Sequence, residues 1–172
     1  MSQPDHEWVD VVDEDDQVVG RATRRQMREH NLLHRNASVL CLTSKGQVYV
    51  HQRMHTKDVF PSLYDLFASG VVVSGESYDG AAVRELGEEL GVVGPAPEPL
   101  FKHRYEGPSS RSFTMVYRVF WDGPIVAQAE EIAWAAPLPL VEVAENAQRF
   151  QYVPDGWEIF QRYLERYPVV TP

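Results

Sequence analysis

Gly70-Val71-Val72-Val73-Ser74-Gly75-Glu76-Ser77-Tyr78-Asp79-Gly80-Ala81-Ala82-Val83-Arg84-Glu85-Leu86-Gly87-Glu88-Glu89-Leu90-Gly91-Val92 is the stretch on which the reading of this chain turns. A short apolar run opens it, residues 79–90 read as a helix, and Gly91 stands where a helix-ending glycine is expected. At 3.6 residues per turn, Glu85, Glu88 and Glu89 fall at i, i+3 and i+4 and share one face. Val83, Leu86 and Leu90 lie roughly 100–160° around from Glu85, an apolar stripe expected to pack inward. Glu85 and Glu89 repel each other by a few tenths of a kcal/mol. Three crowded carboxylates gain from a hard divalent cation, because Mg²⁺ takes oxygen ligands and keeps several waters. By spacing alone such a cluster is ordinarily a solvated helix face, so the surrounding residues have to decide.

Outward from this segment the chain alternates strand and helix signals. Residues 8–13 read as a strand, 14–17 as its turn and 18–20 as the return. The acids of this segment, which has no Lys or Arg in residues 1–16, read as a solvated hairpin rim. Thr23 is a helix N-cap for residues 24–30. Residues 38–43 and 47–53 read as a hairpin around Ser44-Lys45-Gly46. A turn-rich linker is expected over 55–69. Gly94, Pro95, Pro97 and Pro99 break the chain, and a second hairpin follows with arms 100–105 and 113–121. Residues 132–134 make one more strand, and a last helix runs from about 155 to 167, with Trp157, Phe160, Tyr163 and Leu164 near helical spacing. Strands on both sides of a central helix, with a second helix at the end, point to an α+β chain with α/β/α layering.

At 172 residues the chain has room for one ordinary domain, 1–172. With 44% hydrophobic and 24% charged residues it is neither disordered nor fibrous. A net charge of -9 argues against a nucleic-acid polymer or an anionic membrane held by a general positive field. Residues 1–16 hold seven acids, residues 70–92 hold five against Arg84 alone, and the rest is slightly basic. Cys41 is the single cysteine, which excludes an intramolecular disulfide and a cysteine-built zinc site. No apolar run approaches the roughly 18 residues of a membrane span, and the N-terminus has no leader-like pattern. The chain is expected to be a soluble cytoplasmic protein.

The segment 70–92 resembles the Nudix box, G-x5-E-x7-R-E-U-x-E-E-x-G-U, matched here by Gly70, Glu76, Arg84, Glu85, Leu86, Glu88, Glu89, Gly91 and Val92. Nine such positions coincide by chance on the order of once in ten million chains of this length. The resemblance implies a Nudix-type α/β/α sandwich with a mixed sheet, here carrying an N-terminal β-hairpin. It also implies hydrolysis of a nucleoside diphosphate derivative with Mg²⁺, or Mn²⁺ in its place. Glu88 and Glu89 match the main metal ligands and catalytic carboxylates, Glu85 the glutamate that completes the cluster, and Gly70 a glycine whose carbonyl contacts metal. Glu76 and Arg84 match residues that brace the box. The general base lies in the box or on a later loop, where Glu130 and Glu131 are the candidates, Glu131 foremost. Specificity is expected from loops outside the box, such as 57–69 and 106–110. The implied partner is a small-molecule nucleotide, and a homodimer stays open.

A narrower similarity, over about the first 75 residues, is to the isopentenyl-diphosphate isomerase-like subgroup. It is carried by Trp8-Val9-Asp10, Val19, Arg25-Gln26-Met27-Arg28, Leu33-His34-Arg35, Gln52-Arg53, Lys57, Pro61 and Asp65. By it, Arg53 and Lys57 match basic residues that grip diphosphate, a role that charge also supports. Arg104 and Arg111 are weaker candidates, and Tyr105, Phe113 and Tyr117 read as core. Ser69 stands where the isomerases have their catalytic Cys, Val71 where they have a His, and Ser110-Arg111-Ser112-Phe113 where they need a Glu pair. Cys41, mid-strand among apolar neighbours, reads as buried and inert. A hydrolase is therefore expected over a prenyl-diphosphate isomerase or a non-cleaving nucleotide sensor.

Overall fold

The computed structural model describes residues 4–146 and 148–168. Met1, Ser2 and Gln3, read above for a leader, and the ends of the expected 1–172 unit lie outside the described residues.

β1 (Trp8–Val12) and β2 (Val18–Thr23) form the N-terminal hairpin, with a bulge between Val11 and Val12. Thr23 then caps the short helix α1 (Arg24–Glu29). Its hydroxyl accepts from the Gln26 backbone N–H while the Gln26 side chain accepts from the Thr23 N–H, which satisfies two otherwise orphaned donors at once.

β3 (Leu33–Leu42) is the central strand. β6 (Phe67–Val71) pairs with it antiparallel on one side, and β8 (Arg111–Phe120) runs parallel to it along its whole length on the other. β7 (Glu98–Glu106) adds to β8 antiparallel. A second group is built on β4 (Gln47–Arg53), which pairs antiparallel with β5 (Tyr64–Asp65) and β9 (Ile132–Pro139). The sheet is therefore mixed, as expected.

Side-chain alternation along the central strands fills both faces. Ala37, Val39, Cys41, Tyr117 and Val119 pack with Ala81, Ala82, Leu86 and Leu90 of α2 (Tyr78–Leu90). Leu40, Leu42, Val116, Phe67 and Phe101 pack with Ile159, Phe160 and Tyr163 of α4 (Pro154–Arg166). Helices thus cover both sides of the sheet, the α/β/α layering read from the sequence. Each fully buried Leu of α2 contributes about 2 kcal/mol of apolar burial. Among the described residues no helix is long and apolar enough to cross a membrane.

Several local expectations change. Strands β3 and β4 touch only at Leu42 and Val48 rather than forming a ladder. β3 is buried on both faces and takes its partners from β6 and β8, as a continuous apolar run does when it becomes a central strand. The presumed linker holds β5 and the start of β6. Pro99 sits inside β7, at an irregularity between Pro99 and Phe101, where a missing N–H is tolerated. Helix α3 (Leu140–Glu145) was not expected. Val83 is 56% exposed, so the inward stripe of α2 is made by its alanines and leucines.

The acids of the first hairpin are a solvated rim only in part: Glu14 and Asp15 are exposed, but others are fastened to the fold. Asp16 is buried, and its side chain is gripped by Arg35 (2.7 Å), Lys102 and the Tyr78 hydroxyl (3.0 Å). Glu14 reaches Arg104 and Arg111, Glu7 pairs with Arg24, and Asp5 pairs with Arg28. Asp10 accepts from the Ser74 hydroxyl at 2.6 Å and the Gly75 N–H at 3.4 Å. The hairpin is thereby fastened to the loop that precedes α2.

Candidate active site

Helix α2 is defined at both ends by local chemistry. The Ser77 side chain accepts from the Gly80 N–H, and Gly91 takes the left-handed conformation (φ 65°), donating to the Gly87 carbonyl. The chain then folds back over this end. Val126 N–H donates to the Leu90 carbonyl and Gln128 N–H to the Glu89 carbonyl. A Cβ on Gly91 would sit 2.8 Å from the Val126 Cβ, so this glycine serves both the turn and the close approach of the returning loop. That loop delivers Glu131 beside the carboxylate face of α2.

Arg84 organises the face. Its Nε and one terminal nitrogen fork onto the two oxygens of Glu76, both at 3.0 Å, and that same terminal nitrogen donates to the Val71 carbonyl at 3.1 Å. Its other terminal nitrogen donates to Glu85 at 2.5 Å and Glu88 at 3.3 Å. A planar fork suits this set of acceptors, which a lysine point charge could not serve.

Glu85 and Glu89 are buried, while the Glu88 side chain is 55% exposed. Gly70 lies against Glu85 so closely that a Cβ there would be 2.0 Å from Oε1. Glu89 accepts from the Ser69 N–H at 3.1 Å. Burial first, then the charges of Glu85, Asp65 and Glu131, push its carboxyl well above the usual range. Burial likewise raises Glu85 despite its arginine neighbour. Burial, with Asp155 adding to it and Arg53 opposing, pushes Asp65 up to about 7.

These groups line one cleft of about 390 Å³, together with Arg53, Lys57 and Gly70. Lys57 holds Glu131 at 2.6 Å, and Arg53 donates to the Val59 carbonyl at 3.2–3.3 Å. Every expected site residue, Gly70, Glu85, Glu88, Glu89, Glu131, Arg53 and Lys57, therefore faces the same space. Parts of both expected specificity loops do too, at Lys57 to Phe60 and at Ser109 and Ser110. Glu130 is not among the lining residues. Arg104 and Arg111 are instead engaged with Glu14 and Glu106. Tyr105, Phe113 and Tyr117 are buried, as read, the last donating its hydroxyl to Asp79 at 2.6 Å. Cys41 is buried in the core, which pushes its thiol up to about 12.

Sequence reasoning did not assign roles to Arg24, Arg28 and Asp155, which also line the cleft. His34, quoted only for its resemblance, is buried there with Nδ1 2.9 Å from the Leu32 carbonyl. Burial lowers it to about 4, so the ring is neutral. The i, i+4 spacing of Arg24 and Arg28 was the available signal for that pair. Nothing in the sequence around Asp155 marked its side chain.

Among the described residues no three His, Cys, Asp or Glu already converge as a metal cage, because Arg84 ties Glu85 and Glu88. The donor chemistry nonetheless fits a hard cation. The box offers only oxygen ligands, and among the described residues buried Glu89 accepts one hydrogen bond, from a backbone N–H.

Comparison with known proteins places the chain. The profile described as NUDIX domain matches residues 32–163. An uncharacterized Nudix hydrolase of Streptomyces coelicolor is 44% identical over 164 residues, spanning 94% of this chain and 90% of that protein. Another, from Pseudomonas aeruginosa, is 34% identical over 161 residues, spanning 94% and 95%. A crystal structure from Deinococcus radiodurans superposes with a TM-score of 0.77 at 28% identity, covering 91% of this chain and 98% of that one. With the box intact and its side chains gathered in one cleft, the chain belongs to the Nudix hydrolase family.

Proposed function

We propose that this chain is a Mg²⁺-dependent pyrophosphohydrolase that cleaves a phosphoanhydride bond in a nucleoside diphosphate derivative, with Mn²⁺ able to substitute. The observation that carries the proposal is the meeting of acidic and basic groups in one cleft. Glu85, Glu88, Glu89 and Glu131 line it together with Arg53 and Lys57. Glu85, Glu88 and Glu89, with the Gly70 carbonyl, would hold the cation. When bound, it supplies positive charge to the bridging phosphates and acidifies a water.

The chain's own residues do the rest. Arg53 and Lys57 bind the phosphate oxygens and align the anhydride. Glu131 takes the proton from the attacking water as its oxygen bonds to phosphorus. The bridging P–O bond breaks, and the leaving phosphate departs with that bridging oxygen and the bond's electron pair. In the free chain Lys57 is spent on Glu131. A substrate phosphate that recruits Lys57 releases that carboxylate for proton transfer, so binding and activation of the base are one event.

The test is release of phosphate or nucleotide from a panel of nucleoside di- and triphosphates, nucleotide sugars and dinucleoside polyphosphates. Each is assayed with Mg²⁺, with Mn²⁺ and with EDTA, and Glu88→Gln and Glu89→Gln serve as controls. Metal-dependent turnover that both substitutions abolish is expected. Absence of metal-dependent turnover across the panel, or full activity in both variants, overturns the proposal.

A further inference from the structure

Three arginines of this cleft differ in how they are used. Arg84 is saturated, with all three side-chain nitrogens on carboxylates or a carbonyl of the box. Arg24 and Arg28 are not. They sit four residues apart on α1, hence on one face, and both line the cleft. Among the described residues the Arg24 side chain has a single polar contact, Nη1 to Glu7 at 3.2 Å, and its buried Nε has no partner. Among the same residues Arg28 uses only Nη1, to Asp5 at 3.3 Å and Asp58 at 3.1 Å. A guanidinium has five donors in a planar fork suited to phosphate, so most of this capacity is unused. The carboxylates that touch it are open to solvent to differing extents: the Glu7 side chain is 33% exposed, that of Asp5 49% and that of Asp58 72%. Such solvent-accessible pairs are weak and yield to a better anion. Helix α1 itself is held firmly, by its capping box and by Met27 packed against Val9 and Val71. The β7–β8 turn is tied to its C-terminal end through Asn31, whose amide donates to the Gly107 carbonyl at 3.1 Å, and brings Ser109 and Ser110 to the same end of the cleft.

We propose that Arg24 and Arg28 form a second anion subsite, separate from the Arg53 and Lys57 grip. In the free chain it is screened by the chain's own Asp5, Glu7 and Asp58. The subsite selects substrates carrying a further phosphate outside the scissile diphosphate. This rests on the reading of the cleft as the substrate site, and it requires Glu7 and the arginines to act with opposite sign.

Titration calorimetry of the full chain with inorganic pyrophosphate, in EDTA at low salt, tests the subsite without turnover. Arg24→Gln and Arg28→Gln are each expected to weaken binding about tenfold, and Glu7→Gln to strengthen it about two- to fivefold. A purely structural Arg24–Glu7 pair would instead lower Tm in both variants and strengthen binding in neither. Affinity unmoved by the arginine substitutions, weakened by Glu7→Gln, or undetectable in every chain at millimolar pyrophosphate overturns the subsite. A second arm compares kcat/KM for ADP-ribose and its 2′-phosphate. Preference for the phosphorylated member, lost in Arg24→Gln, is expected, and an unchanged ratio overturns the substrate class. Pyrophosphate results as expected with no turnover of any substrate would defeat the hydrolase reading and leave the subsite standing.

Discussion

Substituting Gly70 by alanine puts a methyl carbon 2.0 Å from Oε1, 2.3 Å from Cδ and 2.7 Å from Oε2 of Glu85. Gly70 is not among the positive-φ residues, so close approach, not backbone freedom, requires glycine there. Nonbonded carbon contacts settle near 3.5 Å, so the carboxylate must retreat by about 1 Å or more. It is the far end of a flexible side chain, so the sheet survives and Glu85 gives way. Retreat breaks its 2.5 Å bond from Arg84, a charged hydrogen bond worth about 1.5–3 kcal/mol. Crowding at a site where Glu85 is only 8% exposed adds about 1 kcal/mol. A net loss of about 3 kcal/mol corresponds to a Tm lower by roughly 6–12 °C for a chain of this size. The functional loss should be larger, because the displaced group is a proposed metal ligand: Mg²⁺ affinity, by titration calorimetry, should fall about tenfold or more. The decisive comparison is a double-mutant cycle. In a Glu85→Ala background the added methyl meets no carboxylate, so Gly70→Ala should cost less than about 1 kcal/mol. An equal cost in both backgrounds would refute the reasoning.

Glu131→Gln should lower kcat by about a hundredfold or more with little change in KM, whereas Glu130→Gln, outside the cleft, should leave both within about twofold; steady-state kinetics showing equal effects would remove Glu131 from its role. Asp16→Ala strands Arg35 and Lys102 at a buried residue with φ 59°, costing about 3 kcal/mol in urea unfolding, with Asp16→Asn milder because Asn tolerates that conformation. Identical midpoints for the two variants and the parent would sink this account of the hairpin. Buried Asp65, raised from 3.8 to about 7, binds its proton more tightly folded than unfolded, so its contribution is present at low pH and is lost as pH rises through that window. His34 and His51, lowered to about 4 and about 3 by burial, act oppositely, their contribution growing as pH rises toward 6.5. Asp65→Asn should therefore steepen the rise of stability between pH 4 and 7 in EDTA, and a stability difference from the parent that stays flat across that range would contradict the assignment.

What was legible in the sequence was what local chemistry determines. The box helix announced itself through its spacing and Gly91, and the capping role of Thr23 needed only its neighbours. What was not legible depended on partners far along the chain. The pairing of β3 with β8 joins segments some 80 residues apart in parallel, and no turn residue encodes it; the Ser44-Lys45-Gly46 turn suggested instead a full local hairpin, of which the sheet keeps only the pairing of Leu42 with Val48 beside the turn. Val83 fits the apolar stripe by angle, yet no layer covers it. Arg24 and Arg28 had no assigned role until the fold laid α1 along the cleft. Glu130 and Glu131 were equivalent by position, and only the bond of Gln128 N–H to the Glu89 carbonyl, which orients that loop, sends one of them inward.

The acidic hairpin shows the same dependence in its electrostatics. Seven acids and no Lys or Arg in residues 1–16 would repel one another if they shared a solvated rim, and each would gain little from any single exposed partner. The fold distributes them instead. Asp16 goes to Arg35 and Lys102, Glu14 to Arg104 and Arg111, Asp10 to Ser74 and Gly75, and Glu7 and Asp5 to the arginines of α1. The first two contacts brace the hairpin against β3, β7 and β8, and the third holds the loop that leads into the box. Of these acids only Glu7 lines the cleft. Those acids therefore divide by burial into two kinds. Asp16 anchors the fold because it is buried with three side chains on it, while Asp5 and Glu7 reach the arginines of α1 by single-point contacts that a phosphate can replace. A net charge of -9 is thus compatible with polyphosphate chemistry, since the acids nearest the substrate are the ones either positioned to hold a cation or free to step aside.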